Sequence, residues 1–168
     1  DEKKRMMRSL DLLIIDEISM VRADLLDAVD MELRKYRIHD IPFGGVQLLM
    51  IGDLCQLAPV INSEDWKLLS QHYETPYFFS SKALQKVDYT TIELQTVYRQ
   101  EDQTFVSLLG KIRQNNIDQS VINSLNSRYI PHFEPSERKD WILLTTHNLT
   151  AQNYNRQRLD AIERSVTA

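Results

Sequence analysis

The chain has 168 residues, of which 42% are hydrophobic and 26% charged, a balance that is typical of a globular protein and argues against a disordered or fibrous one. No apolar run approaches the about 18 residues of a membrane span, and a net charge of −4 excludes a broadly basic surface, so any nucleic-acid contact has to be local. The lone Cys55 excludes an internal disulfide, and we therefore expect a reducing, intracellular compartment, which in a bacterium is the cytoplasm with its nucleoid.

The first half of the chain predicts a strand, a helix and a second strand. After their polar first residues Asp11 and Gln47, the segments 11–15 and 47–51 are continuous apolar runs of strand length, which is typical of strands buried on both faces of a parallel sheet. Between them, apolar residues recur at helical spacing from Arg22 to Arg37 and predict an amphipathic helix. The order strand, helix, strand predicts a right-handed crossover in an α/β fold. Residues 1–8 are interpreted as the end of a further helix.

The remainder of the chain predicts several helices and two more strands. Helices are expected from Ser63 onward, near 81–85, over 105–112, over 121–129 and from about 148 to 164. The β-branched segment 90–94 and the apolar run 141–145 predict strands, with a loop over 131–140 before the second. A change of character near residues 95–101 divides the chain into two parts, 1–98 and 99–168.

Acidic side chains follow both strands of the first half. Asp16 and Glu17 come directly after 11–15, and Asp53 follows 47–51. Ligands of open α/β sheets bind at the carboxyl ends of the strands. An acid there resembles a Walker B element, in which one carboxylate holds Mg²⁺ and a second accepts a proton from the water that attacks ATP. The alternatives are solvated acids without a function, or a nuclease whose divalent metal the three carboxylates hold.

Gln56 lies three residues beyond Asp53 and suits a nucleotide sensor. Its amide offers a donor and an acceptor, so it can contact a γ-phosphate and the attacking water together and lose both contacts once phosphate leaves. Taken alone, these residues favour the simpler interpretation, in which Gly52-Asp53 is an ordinary turn and Gln56 an ordinary polar residue.

Four linked segments resemble one family of DNA helicases. They are 13–20 (LIIDEISM), 42–48 (PFGGVQL), 52–60 (GDLCQLAPV) and 97–100 (VYRQ). Their order and spacing are similar to those of the petite-integration-frequency (PIF) helicases, superfamily-one enzymes related to RecD. The resemblance covers residues 11 to about 113 and continues more weakly over 143–148. It implies a RecA-like, P-loop NTPase motor with a parallel sheet, in which 1–98 are the C-terminal part of the first motor domain and 99–168 the N-terminal part of the second.

The resemblance also implies ATP and Mg²⁺ as cofactors and a role for each of four residues. Asp16 would be the magnesium carboxylate, Glu17 the general base, Gln56 the motif III sensor and Arg99 the motif IV arginine that reaches the γ-phosphate. An arginine presents a rigid fork of donors that matches phosphate oxygens and neutralises charge in the transition state. Without the resemblance, Arg99 would be interpreted as a surface ion pair with Glu101 or Asp102.

The implied partners are single-stranded and forked DNA, and no membrane. Superfamily-one motors translocate on a single strand that they hold through backbone amides, small polar side chains and stacked aromatics, here with an implied 5′-to-3′ direction. The candidate DNA contacts are Phe43, Gly44, Gly45, Pro59, Thr146, His147 and Asn148. A lone histidine such as His147 is more often simply solvated or hydrogen-bonded, and Asn148 is equally interpretable as a helix N-cap. A non-catalytic piece that binds DNA or protein is a third functional class.

The chain departs from the family pattern in two ways. Ala58 stands where these helicases usually carry a proline. The only Gly-Lys pair, Gly110-Lys111, is followed by Ile112, and Phe105 occupies the position of the first glycine of a Walker A motif. We therefore expect an internal fragment of a helicase, which should not turn over ATP by itself.

Overall fold

A computed structural model describes residues 2–132 and 142–166, with side chains as far as residue 162. The chain divides into two compact units, Asp1–Val106 and Ser107–Ala168. Most of the predicted loop 131–140 lies outside the described residues, and so does Trp141. The division into motor domains at residues 98 and 99 stays a prediction.

The first unit contains a two-stranded parallel sheet within the described residues. Its helices and strands are α1 (Glu2–Arg8), β1 (Leu12–Ile15), α2 (Ala23–Tyr36), β2 (Gln47–Met50) and α3 (Ser63–Leu69). Leu12 pairs with Gln47 and Ile15 with Met50, so the two strands run side by side in the same direction. The predicted α/β class with a parallel sheet is confirmed.

The core lies between one face of the sheet and α2. Buried side chains from α2, the loop before β2 and the segment after α3 form it: Leu26, Leu33, Phe43, Val46, Ala83 and Leu84. Leu13 and Ile15 of β1 pack against this cluster. Burial of each large side chain stabilises the unit by roughly 1.5–3 kcal/mol.

The opposite face of the sheet is open, which contradicts the prediction of strands buried on both faces. Leu12 and Ile14 are exposed in β1, and Leu49 in β2. Burial alternates along each strand, because α1 and α2 contribute to the packing on one side and no described residue covers the other. A continuous apolar run indicates that both faces of a strand are apolar, but it does not indicate which elements cover those faces.

A single carboxylate joins α2 to the segment that follows α3. Asp27 accepts hydrogen bonds from the hydroxyls of Tyr73 at 2.8 Å and Ser81 at 2.5 Å, and from the backbone N–H groups of Ala83 at 2.9 Å and Lys82 at 3.2 Å. The predicted short helix near 81–85 is instead a pair of 3-10 turns, Phe78–Ser80 and Leu84–Lys86. These bonds hold the two turns against α2.

The helices of the second half match their predictions. α4 spans Gln103–Arg113, α5 spans Gln119–Asn126 and α6 spans Asn148–Val166. The carboxylate of Asp118 accepts a 2.9 Å hydrogen bond from the N–H of Val121 and so caps α5. Among the described helices, none has the length and apolar character that crossing a bilayer requires.

The two additional strands were predicted wrongly. Residues 90–94 and 142–145 have no strand structure, and Ile92 and Leu144 are 80% and 90% exposed. β-Branched and apolar residues favour a strand only where a neighbouring strand accepts and donates the ladder hydrogen bonds. In the described residues only β1 and β2 pair in this way.

Candidate functional site

The carboxyl ends of β1 and β2 are joined by two backbone hydrogen bonds. The N–H of Ile51 donates to the carbonyl of Ile15, and the N–H of Ile18 donates to the carbonyl of Ile51, both at 2.9 Å. The residues that follow β1 therefore lie directly beside those that follow β2. Asp16 and Glu17 are thereby brought to the same edge of the sheet as the loop that begins at Gly52.

Gly52 makes this close approach possible. A Cβ at this position would lie 2.9 Å from Cγ2 of Ile18 and 3.0 Å from its backbone nitrogen. Contacts of that length require the chain to move, so a side chain here would push the two strand ends apart. The glycine that the sequence suggests as a turn residue is in fact required for packing between the two loops.

Asp16 and Glu17 are both exposed. One carboxylate oxygen of Asp16 accepts a 2.9 Å hydrogen bond from the N–H of Glu17. Its other oxygen makes no hydrogen bond to a described residue and can face a hydrated cation, the usual way in which Mg²⁺ is held. Glu17 itself has a left-handed backbone, with φ 51° and ψ 43°. This conformation costs a residue other than glycine on the order of 1–3 kcal/mol.

The loop after β2 is a tight turn that carries Gln56. Asp53 accepts from the N–H of Cys55 at 3.0 Å through one carboxylate oxygen and from Nε2 of Gln56 at 3.2 Å through the other. The backbone N–H of Gln56 also donates to the carbonyl of Asp53 at 3.0 Å. Asp53 thus holds Gln56 through both its side chain and its backbone. Because Gln56 is exposed, it remains accessible to a ligand.

Arg99 lies at a bend in an exposed segment of the first unit. The described residues provide no ion-pair partner for its guanidinium. Asp102 instead accepts from the N–H groups of Thr104 at 2.9 Å and Phe105 at 3.1 Å, at the start of α4. The interpretation of Arg99 as a surface ion pair is therefore not supported, and its contact with a γ-phosphate stays a prediction.

The side chain of Phe43 is unavailable for base stacking, which corrects one interpretation of the loop before β2. Its ring is only 1% exposed, within the core. Its backbone N–H donates to Asp30 at 2.5 Å, and its φ is 55°. Gly44 is also buried, and a Cβ there would lie 2.8 Å from Cβ of Arg37. Of this loop, Gly45 is the exposed residue that can offer its backbone to DNA.

Sequence reasoning missed Asp30 and Arg37, which hold this loop in place. Arg37 donates to the carbonyl oxygens of Gly44 at 3.2 Å and Arg8 at 2.9 Å, and so fastens the loop to the end of α1. Asp30 is 7% exposed. It lies four residues after Leu26, on the apolar side of α2, and a carboxylate in that position is a signal that could have found it.

The remaining DNA candidates differ in exposure. Pro59 is buried, so its ring does not face solvent. Thr146, His147 and Asn148 are exposed at the start of α6. The carbonyl of His147 accepts from the N–H of Ala151 at 3.2 Å, which gives His147, rather than Asn148, the N-cap position. Contact of these residues with DNA stays a prediction.

The nuclease alternative requires several metal-binding side chains around one point. Among the described residues, no group of three or more histidine, cysteine, aspartate or glutamate side chains is placed to hold a metal ion. Asp53 is occupied by the turn that it organises. The described residues therefore do not gather the set of carboxylates that the nuclease alternative requires.

Comparisons with known proteins point to one group of enzymes. A family model described as PIF1-like helicase matches residues 1–123. The human ATP-dependent DNA helicase PIF1 is 40% identical over 116 residues, which are 68% of this chain and 17% of that protein.

Two solved structures extend the likeness to nearly the whole chain. A Pif1 helicase from Bacteroides in complex with ADP-AlF3 and ssDNA matches with a TM-score of 0.79 and 32% identity, over 95% of this chain and 37% of that one. A structure of DNA unwinding at forked dsDNA by two coordinating Pif1 helicases matches with a TM-score of 0.80 and 31% identity, over 95% and 37%. The chain thus spans about a sixth of the human relative and about a third of these helicase structures.

Proposed function

Because the chain belongs to the PIF1-like helicase family, we propose that it forms part of the ATP-driven motor of a DNA helicase. One observation supports this proposal most strongly. The hydrogen bonds of Ile18 and Ile51 place the exposed acids after β1 beside the loop of Gln56 after β2. A triphosphate site needs a cation ligand, a base and a polar sensor within reach of one another.

We assign a role to each exposed polar residue of this edge. Asp16 would hold Mg²⁺ through its water shell, with the carboxylate oxygen that the turn leaves open. Glu17 would accept the proton of the attacking water, and its left-handed backbone would aim it at that water. Gln56 would contact the water and the γ-phosphate. ATP, held there with its magnesium ion, would supply the phosphoryl group whose transfer drives the motor.

Arg99 would complete the site from the segment that follows residue 98. Its guanidinium is exposed and has no described ion-pair partner. An unpaired arginine can add its full charge to the phosphate oxygens as negative charge develops on them. Glu101 and Asp102 do not compete for it in the structure.

The proposed substrates are single-stranded and forked DNA, on which the motor would move in the 5′-to-3′ direction. A related helicase has been solved with ssDNA and another at forked dsDNA, and both match 95% of this chain. Gly45 and the Thr146–Asn148 segment would contact the strand, because both are exposed and offer backbone or small polar groups. The 168 residues alone, which hold no Walker A motif, would not hydrolyse ATP.

Replacing Glu17 with glutamine tests the motor proposal. In the full-length helicase that carries this chain, Glu17→Gln should leave ATP binding intact and reduce kcat for DNA-stimulated hydrolysis by about 10²–10⁴-fold, since the amide cannot accept a proton. Binding is measured with a fluorescent nucleotide and hydrolysis by phosphate release. Glu64→Gln, an exposed position in α3, is the matched control and should be neutral. Near-normal turnover of Glu17→Gln would refute the role of Glu17 as the base.

A further inference from the structure

Asp53 uses both of its carboxylate oxygens on the turn that carries Gln56. Oδ1 accepts from the backbone N–H of Cys55 at 3.0 Å, which closes the turn. Oδ2 accepts from the side-chain nitrogen of Gln56 at 3.2 Å. The carbonyl of Asp53 accepts from the backbone N–H of Gln56 at 3.0 Å. One residue therefore fixes both the main chain and the side chain of the proposed sensor.

The chemistry of these two groups fixes the orientation of the amide. An ionised carboxylate can only accept hydrogen bonds, whereas a carboxamide has one end that donates and one that accepts. Only the NH₂ end of Gln56 can therefore face Asp53. The carbonyl oxygen Oε1 must then point away from Asp53, together with the second N–H of the amide.

We propose that Asp53 is a positioning residue, which orients the carboxamide of Gln56 so that Oε1 faces the attacking water and the second N–H faces the γ-phosphate. This inference rests on the proposed function of the site. A free amide turns about its last side-chain torsion between two nearly equivalent orientations, of which only one presents Oε1 correctly. Asp53 selects that orientation before the nucleotide binds.

The position of Asp53 in the fold supports this role. It directly follows Gly52, whose backbone lies against Ile18 at the end of the acid-bearing loop. The backbone at Gly52 and Ile18 therefore determines how Asp53 lies relative to Glu17. The carboxylate thus holds the sensor within a loop that packs against the loop of the proposed base, and fixed placement of such groups is the condition for efficient positioning of a reacting water.

Asp53→Asn is the variant that separates orientation from folding. Asparagine can still accept the N–H of Cys55 and form the same turn, because Asn and Asp both favour such turns. Its NH₂ group then faces Gln56 and favours Oε1, rather than Nε2, at the contact. The variant should thus keep the loop and invert the amide.

The test is a double-mutant cycle in the full-length helicase, with kcat, KM for ATP and nucleotide Kd as readouts. Asp53→Asn should lower kcat by about 10–100-fold, with Kd changed by less than about 3-fold, since misplacement by an ångström costs on the order of 10² in rate. In a Gln56→Ala background the same substitution should have no further effect on kcat, because Asp53 acts through Gln56. Asp118→Asn, which alters a comparable turn-forming carboxylate at the start of α5, should leave kcat unchanged.

Two results would overturn the inference and leave the motor proposal standing. The first is a normal kcat for Asp53→Asn while the kcat of Gln56→Ala is reduced. The second is a double variant whose loss in kcat equals the product of the losses of the two single variants. A normal kcat for Gln56→Ala would overturn the sensor role and the inference with it. Glu17→Gln reports separately on the motor proposal, so the two failures are distinguishable.

Discussion

Glu17 combines a charged, exposed side chain with a backbone conformation that favours glycine. Its φ of 51° lies in the left-handed region, and the residue belongs to no tight hairpin that would explain it. Such strain clusters at functional sites, although it also occurs at purely structural positions such as Phe43 in the core. The left-handed step turns the chain from β1 into the 3-10 turn Ile18–Met20 and leaves the carboxylate at the edge of the sheet.

The strain at Glu17 predicts an unusual order of stabilities. Glu17→Gly and Glu17→Ala both remove the carboxylate, but only glycine adopts φ 51° without cost. The glycine variant should therefore be more stable than the alanine variant by about 1 kcal/mol. At Glu64, in the first turn of α3, alanine should be the more stable of the same pair, as in ordinary helices. Urea unfolding measures both differences, and an alanine variant at position 17 as stable as the glycine variant would show that the backbone there is unstrained.

The residue types of the candidate site were more predictable than their geometry. Asp16, Glu17 and Gln56 follow from the residue type at the ends of two apolar runs, because parallel strands end at one edge. The left-handed backbone of Glu17 leaves no mark in the sequence. The contact of Asp53 with Gln56 is local, since the two residues lie three positions apart in one turn, but their residue types permit this contact without requiring it. The burial of Phe43 was missed because an aromatic residue in a glycine-rich loop suggests exposure, whereas Asp30 and Arg37 fold that loop inward.

At the scale of elements, Asp27 links α2 to the two 3-10 turns after α3. Burial alone would raise the pKa of Asp27, but the hydrogen bonds from Ser81, Ala83, Tyr73 and Lys82 outweigh it and hold the pKa below its usual value. Burial and the hydrogen bond to Asp27 raise the pKa of Tyr73 to about 12. The link is therefore strongest when Asp27 is ionised and Tyr73 is protonated.

The link predicts how the stability of the first unit depends on pH. The stabilisation from Asp27 is fully present above its unfolded pKa of about 4 and is lost as the pH falls through the lower folded value. The stabilisation from Tyr73 is fully present below pH about 10, its unfolded pKa, and is lost as the pH rises through the folded pKa of about 12. Asp27→Asn should cost about 1–3 kcal/mol at pH 7 in urea unfolding, and the difference from the unmodified protein should shrink in acid.

Asp40 provides the control for this measurement. Its side chain is 94% exposed, so Asp40→Asn should leave the free energy of unfolding unchanged across the same pH range. A cost of Asp27→Asn that stays constant as the pH falls would contradict the account of the link.

The same scale shows where sequence patterns stop being informative. Helices α2, α4 and α5 were predicted because their apolar periodicity is a local property. The strands at 90–94 and 142–145 were predicted wrongly because a strand exists only with a partner, and the composition of a segment does not supply one. The prediction that both faces of the sheet are buried was wrong for the same reason, because the composition of a strand does not supply the elements that would cover it.

At the scale of the whole molecule, the family was predictable because four short motifs occur in one order. The family is confirmed by the match to the PIF1-like helicase model over residues 1–123, and the α/β motor fold by the likeness to the Bacteroides helicase. Composition did not identify the family but excluded one kind of surface, since a net charge of −4 limits any DNA contact to local groups. The division at residues 98 and 99 stays a prediction, because composition and periodicity report single elements and not the boundary between domains.

The central claim is that the exposed polar residues at the ends of β1 and β2 act with Arg99 on one triphosphate. A substitution of Arg99 can test this claim without changing the stability of the fold, because Arg99 is exposed and no described residue forms an ion pair with it. Its replacement should therefore leave the unfolding temperature unchanged. Arg99→Lys keeps the charge and removes the planar fork of donors, and provides a graded comparison.

The most direct measurement is the kcat of DNA-stimulated ATP hydrolysis by the Arg99→Ala variant of the full-length helicase, beside its nucleotide Kd. The account predicts a loss of about 10³-fold in kcat with ATP still bound, the magnitude typical of an arginine that stabilises phosphoryl transfer. A kcat within a few-fold of the unmodified enzyme, at unchanged nucleotide affinity, would contradict it.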